Sequence, residues 1–439
     1  MPDKNLFSRM RAPYAKGIGQ SQAADVTKRL GVDNNNPLRV LNADGSDIYD
    51  MLGVDDLNKK QVGGAYFRGM AQPVTVSLST SAKISTMPLF VNNDTDYLEL
   101  VAISEVHSVA NGAALTAYVS KEGATSGAVG SGATCMSGTF NLDATANTVQ
   151  NATMAGARGY PSLMIAPGEQ LSLKLSTTVT SLAGLCVTLW FRGLNGPSPV
   201  TLSIAANGDI ADMTMYLNPV AGNKVRKVAV RWGTAGTNGG AVTADIKKDT
   251  STNAPAAGAT ILTAVQSVKG TANATVYPAL SATAAAYTMT QADRLSLDMG
   301  GTLTALANLV VTVFFEPIAD SWLIIPCSFW DVATTDRAVF IADDYYQLVG
   351  AYMTYSVNAG TAATVQLVKD VATDAPGAGT DLLASTIDMN TTANTPLIGV
   401  PLTTNPFTNV LKAGDRLSWD FSTAGTIAGS NAVVVLRKI

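Results

Sequence analysis

The sequence repeats itself three times, and this limits its fold more than any other feature. The segment "EQLSLKLSTTVTSLAGLCVTLWF" (169–191) lies on "DRLSLDMGGTLTALANLVVTVFF" (293–315). With a one-residue adjustment it also lies on "DRLSWDFSTAGTIAGSNAVVVLR" (415–437). Leu171, Leu295 and Leu417 mark the same place in each copy. The tripeptide Thr-Ala-Asn recurs as 145–147, 271–273 and 392–394, and its asparagines Asn147, Asn273 and Asn394 should occupy equivalent positions. The middles agree as well: "IKKDTSTNAPAAGATILTAVQ" (246–266) matches "LVKDVATDAPGAGTDLLASTI" (367–387), and "VSKEGATSGAVGSGATCMSGTF" (119–140) resembles both. The starts agree in two copies, "PVTVSLST" (73–80) and "PVTLSIAA" (199–206), whereas the third start is divergent. The organisation is a segment over 1–72 followed by modules over 73–195, 196–320 and 321–439. Such modules are far too long for a solenoid repeat and suit a β-sandwich or jelly roll.

Strand character rests on period-two alternation. In "KVAVRW" (227–232), Val228, Val230 and Trp232 share one face, and Lys227, Ala229 and Arg231 the other. In "RLSWDF" (416–421), Leu417, Trp419 and Phe421 oppose Arg416, Ser418 and Asp420. Thr, Val and Gly dominate, and no long Leu/Glu/Lys face supports helices. The fold class expected is mainly β: three tandem jelly-roll-like antiparallel β-sandwiches preceded by an extended, partly helical N-terminal arm. With few large aromatics, each core should rest on Val, Leu and Ile. The final strand "AVVVLRKI" should be paired to the terminus.

The arm differs from the modules. Short helices are expected over 21–32 and 44–57, with loop-like sequence around them. Residues 1–40 carry seven basic side chains (Lys4, Arg9, Arg11, Lys16, Lys28, Arg29, Arg39) against three acids. That stretch is therefore +4 in a chain whose net charge is −4. These seven are the candidate partner-binding residues, toward an acidic protein surface or nucleic acid, although the chain's net charge argues against a nucleic-acid binder as a whole. Nucleic acid is not expected as a partner of the modules, which lack basic residues interleaved with aromatics. Only 14% of residues are charged, against a typical ~25%. So neutral an exterior leaves little repulsion between neighbouring copies.

Residues that carry chemistry are sparse. The one histidine, His107, sits in "SEVHSVANG" without a nucleophile motif, and a structural role is expected. Cys135, Cys186 and Cys327 are widely spaced and read as reduced, apolar thiols. No zinc pattern is present. Asp249 and Asp370 occupy equivalent turn positions, with Glu122 nearby in the first copy, and Asp298 and Asp420 also correspond, with Lys174 in that place in copy one; their setting suggests surface turn chemistry. "NNDTD" (92–96) and "ADD" (342–344) are oxygen-rich, but as Asx turns they need no calcium. No catalytic residue, metal or cofactor is expected. No apolar stretch reaches the length of a signal peptide or a membrane helix.

The endings "AGDRLSWDFSTAGTIAG" with a Val-rich last strand resemble virion proteins of tailed bacteriophages, of the decoration or head-fibre type. The likeness covers about 73–439 and rests on strand pattern, so it transfers no binding residues. It implies a non-enzymatic capsid decoration or cement protein that binds the outside of the major capsid lattice. The implied partners are the major capsid protein and neighbouring copies of itself. The implied location is the virion, assembled in the host cytoplasm. A tail, baseplate or fibre protein with glycan binding is the alternative, and would expose aromatics such as Trp330, Tyr345 and Tyr346.

Overall fold

The alternating segments become extended chain from Gln72 to Lys438. The computed structural model describes residues 71–439 apart from 93–96, 157–159, 195–196, 251, 317–321, 330–335, 359–361, 403–408, 423–426 and 428. The arm, with its two expected helices and its seven basic residues from Lys4 to Arg39, lies outside the described residues, as does Trp330.

Six principal strands form in each repeat. In the first they are β1 (Gln72–Leu78), β2 (Met87–Val91), β3 (Leu98–Val106), β4 (Thr116–Glu122), β5 (Gln170–Leu175) and β6 (Leu185–Arg192). The second has β7 (Val200–Ile204), β8 (Met213–Leu217), β9 (Asn223–Thr234), β10 (Val242–Asp249), β11 (Arg294–Gly301) and β12 (Ala307–Phe315). The third has β13 (Trp322–Phe329), β14 (Arg337–Ile341), β15 (Tyr346–Thr354), β16 (Thr364–Asp370), β17 (Arg416–Phe421) and β18 (Ser430–Lys438).

The connectivity is the same each time. In the first repeat one sheet runs β1-β6-β3 and the other β2-β5-β4, all antiparallel. Short strands extend both: Gln150–Asn151 and Met164–Ile165 on β3, Ala133–Thr134 and Phe140–Asn141 on β4. Counted as eight strands, the orders are 1-8-3-6 and 2-7-4-5, the arrangement of a jelly roll. Strands β5 and β6, adjacent in sequence around a Gly/Ser/Thr turn, do not form a hairpin. They belong to opposite sheets, so the turn is a crossover between the two layers. The third repeat's divergent start is also resolved: "IPCSF" (325–329) in β13 takes the place of "VTVSL" in β1 and "VTLSI" in β7. Val, Leu and Ile fill the cores as expected, but Trp232 and Trp419 are also fully buried there.

The three sandwiches close into a ring. Strand β2 lies across the outer face of the next repeat's first sheet, touching β7, β9 and β12. Strand β8 does the same to β13, β15 and β18, and β14 returns to β1, β3 and β6. At these junctions Val91 packs on Ala229 and Val310, while Ile341 and Ala338 pack on Val106 and Cys186. Ile324, Val433 and Val435 join the core that holds Leu217. Aromatic rings cross two of the junctions. Phe314 meets Phe90 at 6.1 Å between centroids, and Trp190 sits 5.6 Å from Phe340 and 6.2 Å from Tyr346. Outward positions such as Ala229 and Arg231, half of the alternation in "KVAVRW", are therefore fully buried.

A β-bulge shapes each crossing strand at one equivalent place: between Pro88 and Phe90, Thr214 and Tyr216, and Ala338 and Phe340. The bulge turns a carbonyl outward. Ser77 donates to the Ala338 carbonyl at 2.7 Å, and Ser203 donates to that of Pro88. Strand β1 touches both β7 and β13 at the ring centre, around a cavity of about 20 Å3 lined by Thr75, Ser77, Thr201, Ser203, Pro326 and Cys327. That volume matches one water molecule.

The recurring tripeptide has a backbone cause. Asn147, Asn273 and Asn394 are all left-handed, with φ of 61°, 60° and 60°. Each donates its N–H to the carbonyl of an aromatic residue near the end of the third strand: His107 at 2.7 Å, Trp232 at 2.8 Å and Tyr355 at 2.7 Å. The aromatic so bonded reaches back to the residue before the tripeptide. His107 Nε2 lies 3.3 Å from the Ala144 carbonyl, Trp232 Nε1 donates to Gly270 at 3.4 Å, and the Tyr355 hydroxyl meets Thr391 at 2.7 Å. Asparagine tolerates this conformation because its short side chain is not penalised as a longer one is. Replacing Asn273 by Gly should leave stability within a few tenths of a kcal/mol, whereas Asn273→Ala should cost about 1 kcal/mol. Chemical denaturation of the three proteins checks this; equal losses for Gly and Ala would remove the backbone explanation.

Candidate functional site

The most elaborate polar sites are three copies of one buried cluster. The turn before the fifth strand of each repeat holds a left-handed residue, Gly168, Ala292 or Gly414. Its N–H donates to the carbonyl of Asn92, Asn218 or Ala342, at 2.7, 2.9 and 2.8 Å. The following acid closes the turn, Glu169 accepting from Ala166 N–H, Asp293 from Thr290 and Asp415 from Lys412, at 2.7, 2.8 and 2.9 Å. The "AGDRLS" stretch is thus a turn that delivers the next side chains, Gln170 and Ser172, Arg294 and Ser296, or Arg416 and Ser418, onto the second sheet's outer face.

There they meet Glu122, Asp249 and Asp370. The sequence suggests surface turn acids, but all three are fully buried. A loop folds back over each and supplies N–H donors: Gly130 to Glu122 at 3.1 Å, Gly258 to Asp249 at 2.7 Å, and Gly379 to Asp370 at 3.1 Å. Ser172 donates to Glu122 at 2.7 Å, and Ser296 and Ser418 donate to Asp249 and Asp370. Such glycine-rich loops look like solvent turns in sequence, which is why the burial was not legible. The other acids expected at the surface, Asp298 and Asp420, are partly buried farther along the same sheets, opposite Asp245 and Gln366, and Asp298 pairs with Lys247 at 3.4 Å.

His107 is also fully buried. Its Nδ1 lies 3.3 Å from Glu105, which is equally buried and accepts from Gln150. Burial pushes the Glu105 carboxyl up. Burial alone would lower His107, but the hydrogen bond and charge of Glu105 outweigh it and the net shift is upward. Both ring nitrogens are engaged, which ties the imidazole into the tripeptide loop. All three cysteines are free and buried. Burial pushes the Cys135 and Cys186 thiols up to about 12, far from reactive thiolates.

The remaining candidates do not converge. Among "ADD", Asp343 accepts from the Tyr346 hydroxyl at 2.6 Å and Asp344 pairs with Lys438 at 2.6 Å. Among the described residues no cluster of three metal-ligating side chains forms. Residues 93–96 of "NNDTD" are outside them. Tyr345 is half exposed, but Tyr346 is core, stacked on Trp190, so the two do not make a joint aromatic platform. A feature the repeats conceal is an open groove of about 430 Å3 in the first sandwich, beside Tyr118, Thr134 and Ser137. At the place of Tyr118 the other repeats carry Asp245 and Gln366. These bond to Thr260 and to the Leu383 backbone.

The third acid titrates in a useful range. Burial lifts Asp370 from 3.8 to about 6, opposed by Ser418 and Arg416. The folded chain then holds this proton more tightly than the unfolded one, so stability falls as pH rises from about 4 to 6 and levels off above. Asp370→Asn removes the titrating group. Urea unfolding should show the wild type losing ground against the variant between pH 4 and 6; parallel curves would contradict the shift.

No protein-family model matches the sequence, and no curated protein matches it. Among solved structures the chain is similar to one described as "Structure of infectious bursal disease virus Gx strain". The alignment covers 82% of this chain and 74% of that chain at 12% identity, with a TM-score of 0.16. That score is too low to establish a shared fold.

Proposed function

We propose that the protein is a non-enzymatic structural component of a virus particle, a capsid decoration or cement protein of the tailed-bacteriophage type. One observation carries this reading: three jelly rolls of a single chain close into a ring with approximate threefold symmetry. Such a ring offers three related faces around one axis. Seated on a threefold or locally threefold site of a capsid lattice, it engages three subunits at once. Individually weak contacts then act together, because each later contact is intramolecular. The buried state of His107, the cysteines and the repeated acids supports a binding rather than a catalytic role. In this reading residues 73–195, 196–320 and 321–439 are the modules, and residues 1–72 are an arm whose basic side chains, Lys4 to Arg39, tether the ring to an acidic partner surface. The partners are the major capsid protein and neighbouring copies.

Cryo-electron microscopy of purified particles tests the proposal. The expected result is ring-shaped density on the outer shell, centred over threefold or locally threefold positions. Absence from particles would defeat it, and density on the tail would replace it with the fibre reading. Deleting residues 1–40 should leave a folded ring that decorates particles with at least several-fold lower occupancy. Unchanged occupancy would remove the arm from the mechanism.

A further inference from the structure

The three junctions of the ring look alike in strand packing but differ in one polar detail. On the leading face of each repeat a buried carboxylate, Glu122, Asp249 or Asp370, stands beside position 170, 294 or 416. On the receiving face of the next repeat the facing position is 231, 354 or 106. At the first junction the leading residue is Gln170 and the receiving residue is Arg231. Arg231 is fully buried and reaches across to the first repeat, donating to Gly123 at 2.8 Å, Gly127 at 3.1 Å and Gly168 at 3.4 Å.

At the second junction the arginine has changed sides. Arg294 leads, donating to the Asn394 carbonyl and meeting the receiving Thr354 hydroxyl at 3.5 Å. At the third, Arg416 leads and bonds the Asp374 carbonyl at 2.7 Å, against a receiving face of Val106 and Cys186. Burial lowers the pKa of each of these arginines, and the charge of its own junction's carboxylate opposes that shift. Among the described residues one further arginine is fully buried, Arg337, at the opposite end of β14 from Ile341 and this position.

We propose that each junction accommodates one buried arginine beside one buried carboxylate, and that the side from which the arginine comes selects which repeat a face accepts. The first leading face, with Gln170, needs a receiving arginine, and only the second repeat has one. The second and third leading faces bring their own, and the second repeat's receiving face would set two arginines against one acid. Four of the six non-native pairings therefore miscount charge in a buried site, where an uncompensated ion is strongly disfavoured. The ring order 1-2-3 is specified, and the reversed order, which pairs Gln170 with Thr354 and Arg416 with Arg231, is disfavoured.

A double-mutant cycle in the full-length chain tests this. Gln170→Arg places two arginines in the first junction, and Arg231→Thr leaves none. Each should lower the thermal midpoint by about 5 °C or more. The double variant Gln170→Arg/Arg231→Thr recreates the chemistry of the second junction and should recover more than half of the summed loss. If a single variant fails to fold, recovery of a folded double supports it directly. The mirror exchange, Arg294→Gln with Thr354→Arg, provides a second junction. An additive or unfolded double at both junctions overturns the proposal.

Discussion

The fold depends on one repeated contact: a bulged strand of one sandwich laid across the outer face of its neighbour's first sheet. A free jelly roll would keep that face polar. Here Ala229, Val310, Val106, Cys186 and Val433 face another sandwich, and the sheet is buried on both sides. Sheets buried on both faces read as near-continuous apolar runs. This explains "LCVTLWF", "NLVVTVFF" and "AVVVL" in the central strands β6, β12 and β18, which alternate poorly. Three such contacts close on themselves, so each repeat's first sheet is crossed by a strand of another repeat.

Much of this was legible in the sequence, for physical reasons that can be named. Asn147, Asn273 and Asn394 were found by repetition, and a left-handed backbone with one hydrogen bond accounts for them. Leu171, Leu295 and Leu417 were aligned correctly because they sit at one register position facing each core. What escaped reading depended on contacts distant in sequence. Glu122, Asp249 and Asp370 looked exposed because their covers are glycine-rich loops, whose composition is that of a solvent turn. Arg231 looked like the polar half of an alternating strand because the surface that buries it belongs to another repeat. The crossover between β5 and β6 is not visible in the sequence because local sequence does not say which sheet a strand joins.

The candidate residues illustrate the same division. His107 holds the place that Trp232 and Tyr355 hold in the other repeats, a large ring near the end of the third strand with a polar atom turned to the tripeptide loop. Its chemistry is therefore interchangeable with that of an indole or a phenol at this position. In all three repeats this ring ties the end of the third strand to the tripeptide loop.

Fusion of three sandwiches into one chain changes what their contacts can become. In a ring of three identical subunits, leading and receiving faces come from one sequence, and any arginine placed at a junction appears at all three on the same side. A single chain lifts that restriction. The first junction can draw its cation from the receiving face while the other two draw it from the leading face. The axis shows the same freedom. Thr75 pairs with Thr188 and Thr201 with Thr312 through their hydroxyls, at 3.2 and 3.3 Å, whereas the third repeat has Pro326 opposite Val433. The ring keeps a threefold backbone, on which strand packing depends, while its junction and axis chemistry departs from threefold symmetry.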